Sequence, residues 1–209
     1  MNTNGITIRL EKESDYRKTE ELVRDSFWNV YRPGCSEHFV LHVLRGVPAF
    51  VRELDLVMES GGRLIGQNVF VRAEILADGG GIVPVLTMGP ICVARDLRGL
   101  GLGRLLLDES LRRAAGLGFG AVLIEGDIGF YGGSGFVFAS ELGIRYGGLS
   151  EGADASFFLC RELIPGFLSG VSGVYSTPEP YLVTETEVDE FDRGFPPREK
   201  LRLPGQLER

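Results

Sequence analysis

Val93-Ala94-Arg95-Asp96-Leu97-Arg98-Gly99-Leu100-Gly101-Leu102-Gly103-Arg104 joins an apolar strand to a leucine-rich helix through a turn with three alternating glycines. Without Cβ atoms in the way, the backbone N–H groups of residues 99–104 can converge on an anion at the helix N-terminus, where the macrodipole also favours negative charge. Arg98 and Arg104 flank the turn and can add charge-assisted contacts. The same residues also suit a ligand-free helix start or a dinucleotide-binding turn, for which Glu125 stands about 20 residues on as the ribose-binding acid. Against the dinucleotide turn, five residues separate Val93 from Gly99, the spacing is Gly-x-Gly-x-Gly, and an antiparallel meander precedes it.

Arg98-x-x-Gly101-x-Gly103 resembles the diphosphate-binding motif of the GNAT superfamily of N-acetyltransferases. Downstream, 126–136 (Gly-Asp-Ile-Gly-Phe-Tyr-Gly-Gly-Ser-Gly-Phe) is similar to the Tyr-x-x-x-Gly-Phe segment that closes the acetyl-CoA half of that family. The specific motifs cover roughly residues 86–138. The resemblance implies an α/β fold with a mixed, mostly antiparallel sheet, splayed at a central parallel strand pair and flanked by helices. It also implies acetyl-CoA or a related acyl-CoA as acyl donor, and direct attack by a primary amine. Its diphosphate would lie on Arg98, Gly99, Leu100, Gly101, Leu102, Gly103 and Arg104. Its pantetheine arm would run along the strand at Ile91, Cys92 and Val93, where Ile91 and Val93 would supply the backbone contacts. Tyr131 would protonate the departing thiolate, although a tyrosine seen in isolation is more often packing. A subgroup of predicted bacterial acetyltransferases has Gly-Asp-Pro-x-Tyr-Tyr here; this chain keeps Gly126, Asp127 and Tyr131 but carries Ile128 and Phe130. A non-catalytic acyl-CoA-binding or regulatory module is the alternative.

Composition is consistent with this. A chain of 209 residues can bury a core unaided, so one domain is expected over residues 1–183, with a Gly- and Pro-rich extension from about 162 and a charged peripheral tail at 184–209. Cys35, Cys92 and Cys160 are odd in number and widely spaced, which fits a reducing compartment, with the cytoplasm as default, better than a disulfide framework or a metal site. Residues 1–13 lack the apolar stretch of a signal peptide, and the run 82–94 is too short and too proline-broken to span a bilayer. A net charge of −7 disfavours nucleic acid and suits a cationic acceptor, either a small molecule or a protein amine. A homodimer is left open.

Periodicity predicts a strand at 6–10, a helix capped by Ser14 and running to about Tyr31, and a second helix from Glu37 to about Leu44. Strands follow at 54–58 and 64–76, with a third after the glycines at 79–81. Gly89-Pro90 inside that third strand predicts a bulge, because proline cannot donate to a ladder. The helix after the glycine turn carries Leu107, Leu111, Ala114 and Ala115 on one face, with Asp108/Arg112 and Glu109/Arg113 as i,i+4 pairs. Strands at 121–124, parallel to the one ending at Val93, and at 156–161 complete the pattern.

A lysine-like amine, with pKa about 10.4, is neutral only about once in a few thousand molecules at pH 7, so a base is wanted. Glu37, His38, His42, Glu74, Glu125 and Asp127 are the candidates. His38 and His42 stand at i,i+4, but without a third ligand they read as helix or pocket residues rather than zinc ligands. Cys92 reads as core.

Overall fold

The computed structural model describes residues 5–150 and 152–207; residues 1–4, 151, 208 and 209, which belong to the expected N-terminal segment, a loop and the tail, lie outside the described residues. Strand β1 (Ile6–Leu10) leads into helices α1 (Tyr16–Phe27) and α2 (Glu37–Leu44). A meander follows: β2 (Leu56–Ser60), β3 (Arg63–Ala77) and β4 (Ile82–Val93). Gly61 and Gly62 both take positive φ, 56° and 80°, as a tight two-residue hairpin between β2 and β3 requires. After the glycine turn come α3 (Leu102–Gly116), β5 (Ala121–Glu125) and the single-turn α4 (Ile128–Tyr131). The chain ends in short elements: β6 (Val137–Phe138), β7 (Ile144–Tyr146), β8 (Phe158–Glu162), β9 (Gly173–Tyr175) and α5 (Glu185–Asp192).

The sheet runs β1-β2-β3-β4-β5-β8-β6, with β9 pairing to both β3 and β7. Its pairs are antiparallel except β4–β5 and β7–β9. That pattern excludes a doubly wound dinucleotide fold, whose sheet is mostly parallel. Leu22, Val23, Leu41 and Leu44 of α1 and α2 share one core cluster with Leu56, Met58, Val69 and Val71. Leu107, Leu111 and Ala114 of α3 share a second with Leu86, Met88, Val122 and Ile124. A third joins Ile75, Val85 and Leu123 to Phe158, Cys160 and Tyr175. No described helix is long and apolar enough to cross a membrane.

Four local expectations need correction. Helix α1 ends at Phe27 rather than near Tyr31, because Asn29 turns left-handed (φ 59°) and its side chain accepts from Gly34 N at 2.8 Å. Ser14 does not cap it but lies in a 3-10 turn, Glu13–Asp15, that leads into the helix and is closed by the Asp15 carboxylate accepting from Lys12 N at 3.0 Å. Asp108 pairs with Arg104 (3.0 Å), not Arg112, since Ser134 Oγ donates to its other oxygen at 2.7 Å and draws the carboxylate towards that turn; Arg112 joins Arg113 on Glu109. The segment after 183, expected to be peripheral, contributes α5 and the buried Val188 and Phe195, with Asp192 paired to the buried Arg24 at 2.6 Å.

Candidate active site

The site begins where the sheet comes apart. β4 and β5 pair only at Leu86↔Val122 and Thr87↔Leu123. Just beyond, Asn68 pairs with Ile91 while Phe70 pairs with Met88, so Val69 alone faces both Gly89 and Pro90. This is the expected bulge, and Gly89 at φ 128° adopts a backbone that side chains disfavour. It turns β4 away from β5. Ala94 N donates to Ile65 O in β3 at 2.8 Å, so strand alternation aims the Cys92 N–H at β3 as well and leaves those of Ile91 and Val93 facing the gap. Cys92 therefore presents no donor there. Its thiol is buried and pushed up to about 12 by desolvation.

Free donors resume at Gly99, past the paired N–H groups of Ala94, Leu97 and Arg98. The first α3 hydrogen bond is Leu105 N to Gly101 O at 3.1 Å, and the N–H groups of residues 99–104 find no acceptor among the described residues. Gly99 and Gly101 take φ of 77° and 74°, and a Cβ on Gly99 would stand in open space. Gly103 has a different reason to be small, since a Cβ there would lie 3.3 Å from the Phe130 ring. The two arginines are otherwise engaged. Arg98 Nη2 donates to Ser26 O at 2.6 Å, which ties the turn to α1, and Arg104 holds Asp108 and lies over Gly133.

Asp127 caps α4 by accepting from Gly129 N at 2.8 Å, and the helix lays the Tyr131 ring directly on Gly126. Phe130 and Phe136 meet that ring edge-on, with centroids 4.8 and 5.5 Å away. Tyr131 packs on the same cluster as Ile91, Met88 and Ile124, so its ring sits beside the gap. Its hydroxyl has no hydrogen-bond partner among the described residues, and burial, followed by the nearby Tyr31, raises its pKa above the ordinary phenol value.

The base candidates separate. His38 is fully buried, 3.1 Å from Asp192 and 3.4 Å from the Cys35 thiol, and burial lowers its pKa to about 4. His42 is paired with Glu20 at 2.9 Å, and the described residues contain no cluster of three potential metal ligands. Glu74 lies on β3 opposite Pro84. Glu37 accepts from Ser36 N at 2.9 Å, and burial raises its pKa. Glu125 ends β5, and counting on from Thr87↔Leu123 places it across the gap from Gly89. Its Oε1 accepts from Tyr146 Oη and Thr177 Oγ1, both at 2.9 Å, while Oε2 has no partner among the described residues. Tyr181 Oη donates to the Gly89 carbonyl at 2.9 Å and so braces the bulge. Sequence reasoning missed Tyr146, Thr177 and Tyr181, which lie 21, 52 and 92 positions from their partners with no local pattern to mark them.

A GNAT family N-acetyltransferase (YhbS) from Escherichia coli, solved in complex with CoA, is 28% identical and superposes with a TM-score of 0.73 over 84% of this chain and 91% of that one. The chain shares the GNAT fold of this acyltransferase. A GNAT family acetyltransferase from Brucella melitensis, solved with acetyl-CoA, shares the fold at 23% identity, TM-score 0.64, over 84% of this chain and 97% of that one. A further GNAT acetyltransferase, from Staphylococcus aureus, shares it at 14% identity and TM-score 0.53, covering 76% and 99%. No family model and no curated protein matches the sequence. The GNAT features identified from the sequence, a splayed parallel pair followed by a glycine turn at a helix start, are those the structure places side by side.

Proposed function

We propose that this chain transfers an acetyl group from acetyl-CoA to a primary amine by direct attack. The observation that carries the reading is a run of unpaired backbone donors in two sets, separated by the paired N–H groups of Ala94, Leu97 and Arg98. It starts at Ile91 and Val93 on the open edge of β4 and ends in the six N–H groups of residues 99–104. An extended amide-bearing arm followed by a diphosphate matches those two sets, the arm pairing like an added strand and the anion resting on the helix N-terminus. Bound acetyl-CoA supplies the thioester.

Tyr131 then stands on the thiolate side. Its raised pKa keeps the hydroxyl protonated, and a phenol made less acidic by burial stabilises the departing sulfur by donating a hydrogen bond more readily than by complete proton loss. Glu125 stands on the amine side, where the free Oε2 can take the proton that nitrogen sheds as the N–C bond forms and the C–S bond breaks. Glu125 and the chain's net charge of −7 favour a cationic acceptor.

The test is thiol release from acetyl-CoA across a panel of primary amines, paired with calorimetric binding of CoA. Tyr131→Phe should lower kcat by about 10²-fold with acetyl-CoA affinity unchanged, as expected for loss of a group acting in the transition state. Tight CoA binding with no thiol release for any amine would favour the non-catalytic module instead.

A further inference from the structure

Two hydroxyls from the β7–β9 lobe meet on one carboxylate oxygen. β9 pairs with the end of β3 at Ile75, Leu76 and Ala77, and β7 runs parallel to it with Tyr146 opposite Tyr175. Tyr146 ends β7 and Thr177 follows the end of β9 by two residues. Both therefore reach Glu125 Oε1, each at 2.9 Å, and their oxygens stand 2.5 Å from one another. The Tyr146 ring is fixed by Phe157, Phe158 and Tyr175, at centroid distances of 5.2, 5.2 and 6.2 Å. Burial raises its pKa, so its hydroxyl stays protonated and able to donate. A carboxylate with two donors on Oε1 cannot turn without losing both, which leaves Oε2 as its one open acceptor among the described residues.

Thr177 also opens a short strap that crosses to the other wall of the gap. A 3-10 turn, Glu179–Tyr181, is closed by Tyr181 N on the Pro178 carbonyl at 3.0 Å. Tyr181 Oη then reaches the Gly89 carbonyl at the β4 bulge, at 2.9 Å. The five residues 177–181 thus grip β5 through Glu125 and β4 through Gly89, just past the last paired residues, Thr87 and Leu123. The carboxylate is held at a set distance from the β4 edge on which the acyl donor would lie, and a misplacement of about 1 Å in such a group costs about 10²-fold in rate. We propose that Tyr146 and Thr177 are positioning residues for acyl transfer, whose hydroxyls hold Glu125 so that Oε2 meets the nitrogen of the attacking amine. The inference rests on the acyl-transfer reading above.

The test is amine acetylation by full-length variants, with lysine amide, spermidine or a lysine-containing peptide, whichever turns over, as acceptor. Tyr146→Phe keeps the ring packing and Thr177→Val keeps the side-chain shape, and each removes one hydroxyl. Each should lower kcat about tenfold with amine KM and acetyl-CoA affinity within twofold, and Thr177→Ser should keep at least half the parent rate. In a Glu125→Gln background the same two substitutions should each cost less than twofold, because they act only through that carboxylate. Parent-like kcat in both hydroxyl deletions, a Thr177→Ser variant as slow as Thr177→Val, or a loss that persists in full beside Glu125→Gln would each overturn the proposal and leave the two hydroxyls as ties within the lobe. Failure of the reading beneath it looks different: if the parent releases no thiol with any of these amines, or Glu125→Gln transfers at the parent rate, the base itself is gone and this proposal falls with it.

Discussion

Gly126→Ala tests the placement of Tyr131 without touching Tyr131. A Cβ on Gly126 would stand 2.8 Å from Cδ2 of the ring and closer still to Cε2, whereas carbons in ordinary contact are about 3.5–4.0 Å apart. Gly126 does not lie in the left-handed region, so backbone strain does not confuse the result. With Phe130 and Phe136 edge-on around it, the ring can make room only by sliding about 1 Å along the gap. A displacement of that size costs about 10²-fold in rate, or about 3 kcal/mol in the barrier. Overpacking adds about 1–3 kcal/mol of lost stability, which thermal unfolding would register separately. The assay is single-turnover acetyl transfer at saturating acetyl-CoA, for the parent, Gly126→Ala, Tyr131→Phe and the double variant. Because both changes act through one hydroxyl, the double variant should be little slower than Tyr131→Phe alone. A folded Gly126→Ala that transfers within twofold of the parent, or rate losses that multiply fully, would show that the Tyr131 hydroxyl is not the group at the sulfur.

Gly99→Ala should weaken CoA binding tenfold or more by calorimetry, since its methyl enters open space amid the free N–H groups, at a cost of about 1–2 kcal/mol for holding a Cβ at positive φ. Gly101→Val is a poorer probe, because φ 74° there strains a β-branched residue whether or not a ligand binds. Burial, and then the adjacent Glu11 carboxylate, hold the Asp55 pKa well above the carboxylate range, and its Oδ1 is buried without a partner. The unfolded chain releases that proton near pH 4 while the folded chain keeps it, so stability drains as pH rises above about 4. Asp55→Asn should therefore gain about 1–3 kcal/mol over the parent in urea titrations at pH 7.5 and much less at pH 4.5; an equal difference at both pH values would count against the retained proton. Glu125→Gln should depress amine turnover while leaving CoA affinity unchanged, and equal losses in both would assign Glu125 to packing.

Much of the architecture was legible because its signals are local. Gly61-Gly62, the bulge dipeptide Gly89-Pro90 and the glycine turn each dictate a backbone shape by themselves, and the long strands and α3 repeat their periods often enough to read. The strands β6, β7 and β9 span two or three residues, too few for any alternation, and their pairing is decided by distant partners. Helix α5 was missed for another reason: its sequence Glu-Thr-Glu-Val-Asp-Glu-Phe-Asp shows no apolar stripe, and the signal it does carry, Thr184 and Glu187 as a reciprocal cap, is easily taken for a charged tail. At the site, the residue types and backbone path followed from the motif, but Arg98 and Arg104 showed why side-chain direction does not. Ser26 and Gly133 come from elsewhere in the chain and Asp108 from the next turn of α3, and together they claim both guanidiniums.

The two residue pairs that join β4 to β5 make the gap a lever. From Thr87 the limb of β4 that has parted from β5, still laddered to β3, runs to Val93, about 20 Å of strand at 3.3 Å per residue, so β3 and β4 swing together. Its closed end is pinned by Thr87 Oγ1 on the Leu123 carbonyl at 2.9 Å, and by the stacked rings of Phe158 and Tyr175, 5.1 Å apart. A rotation of about 5° at that pivot would carry the tip by roughly 1.7 Å, enough to grip or release an extended arm without breaking a ladder bond. Substitutions at Thr87, far from the glycine turn, would then change how fast product leaves rather than how well it fits.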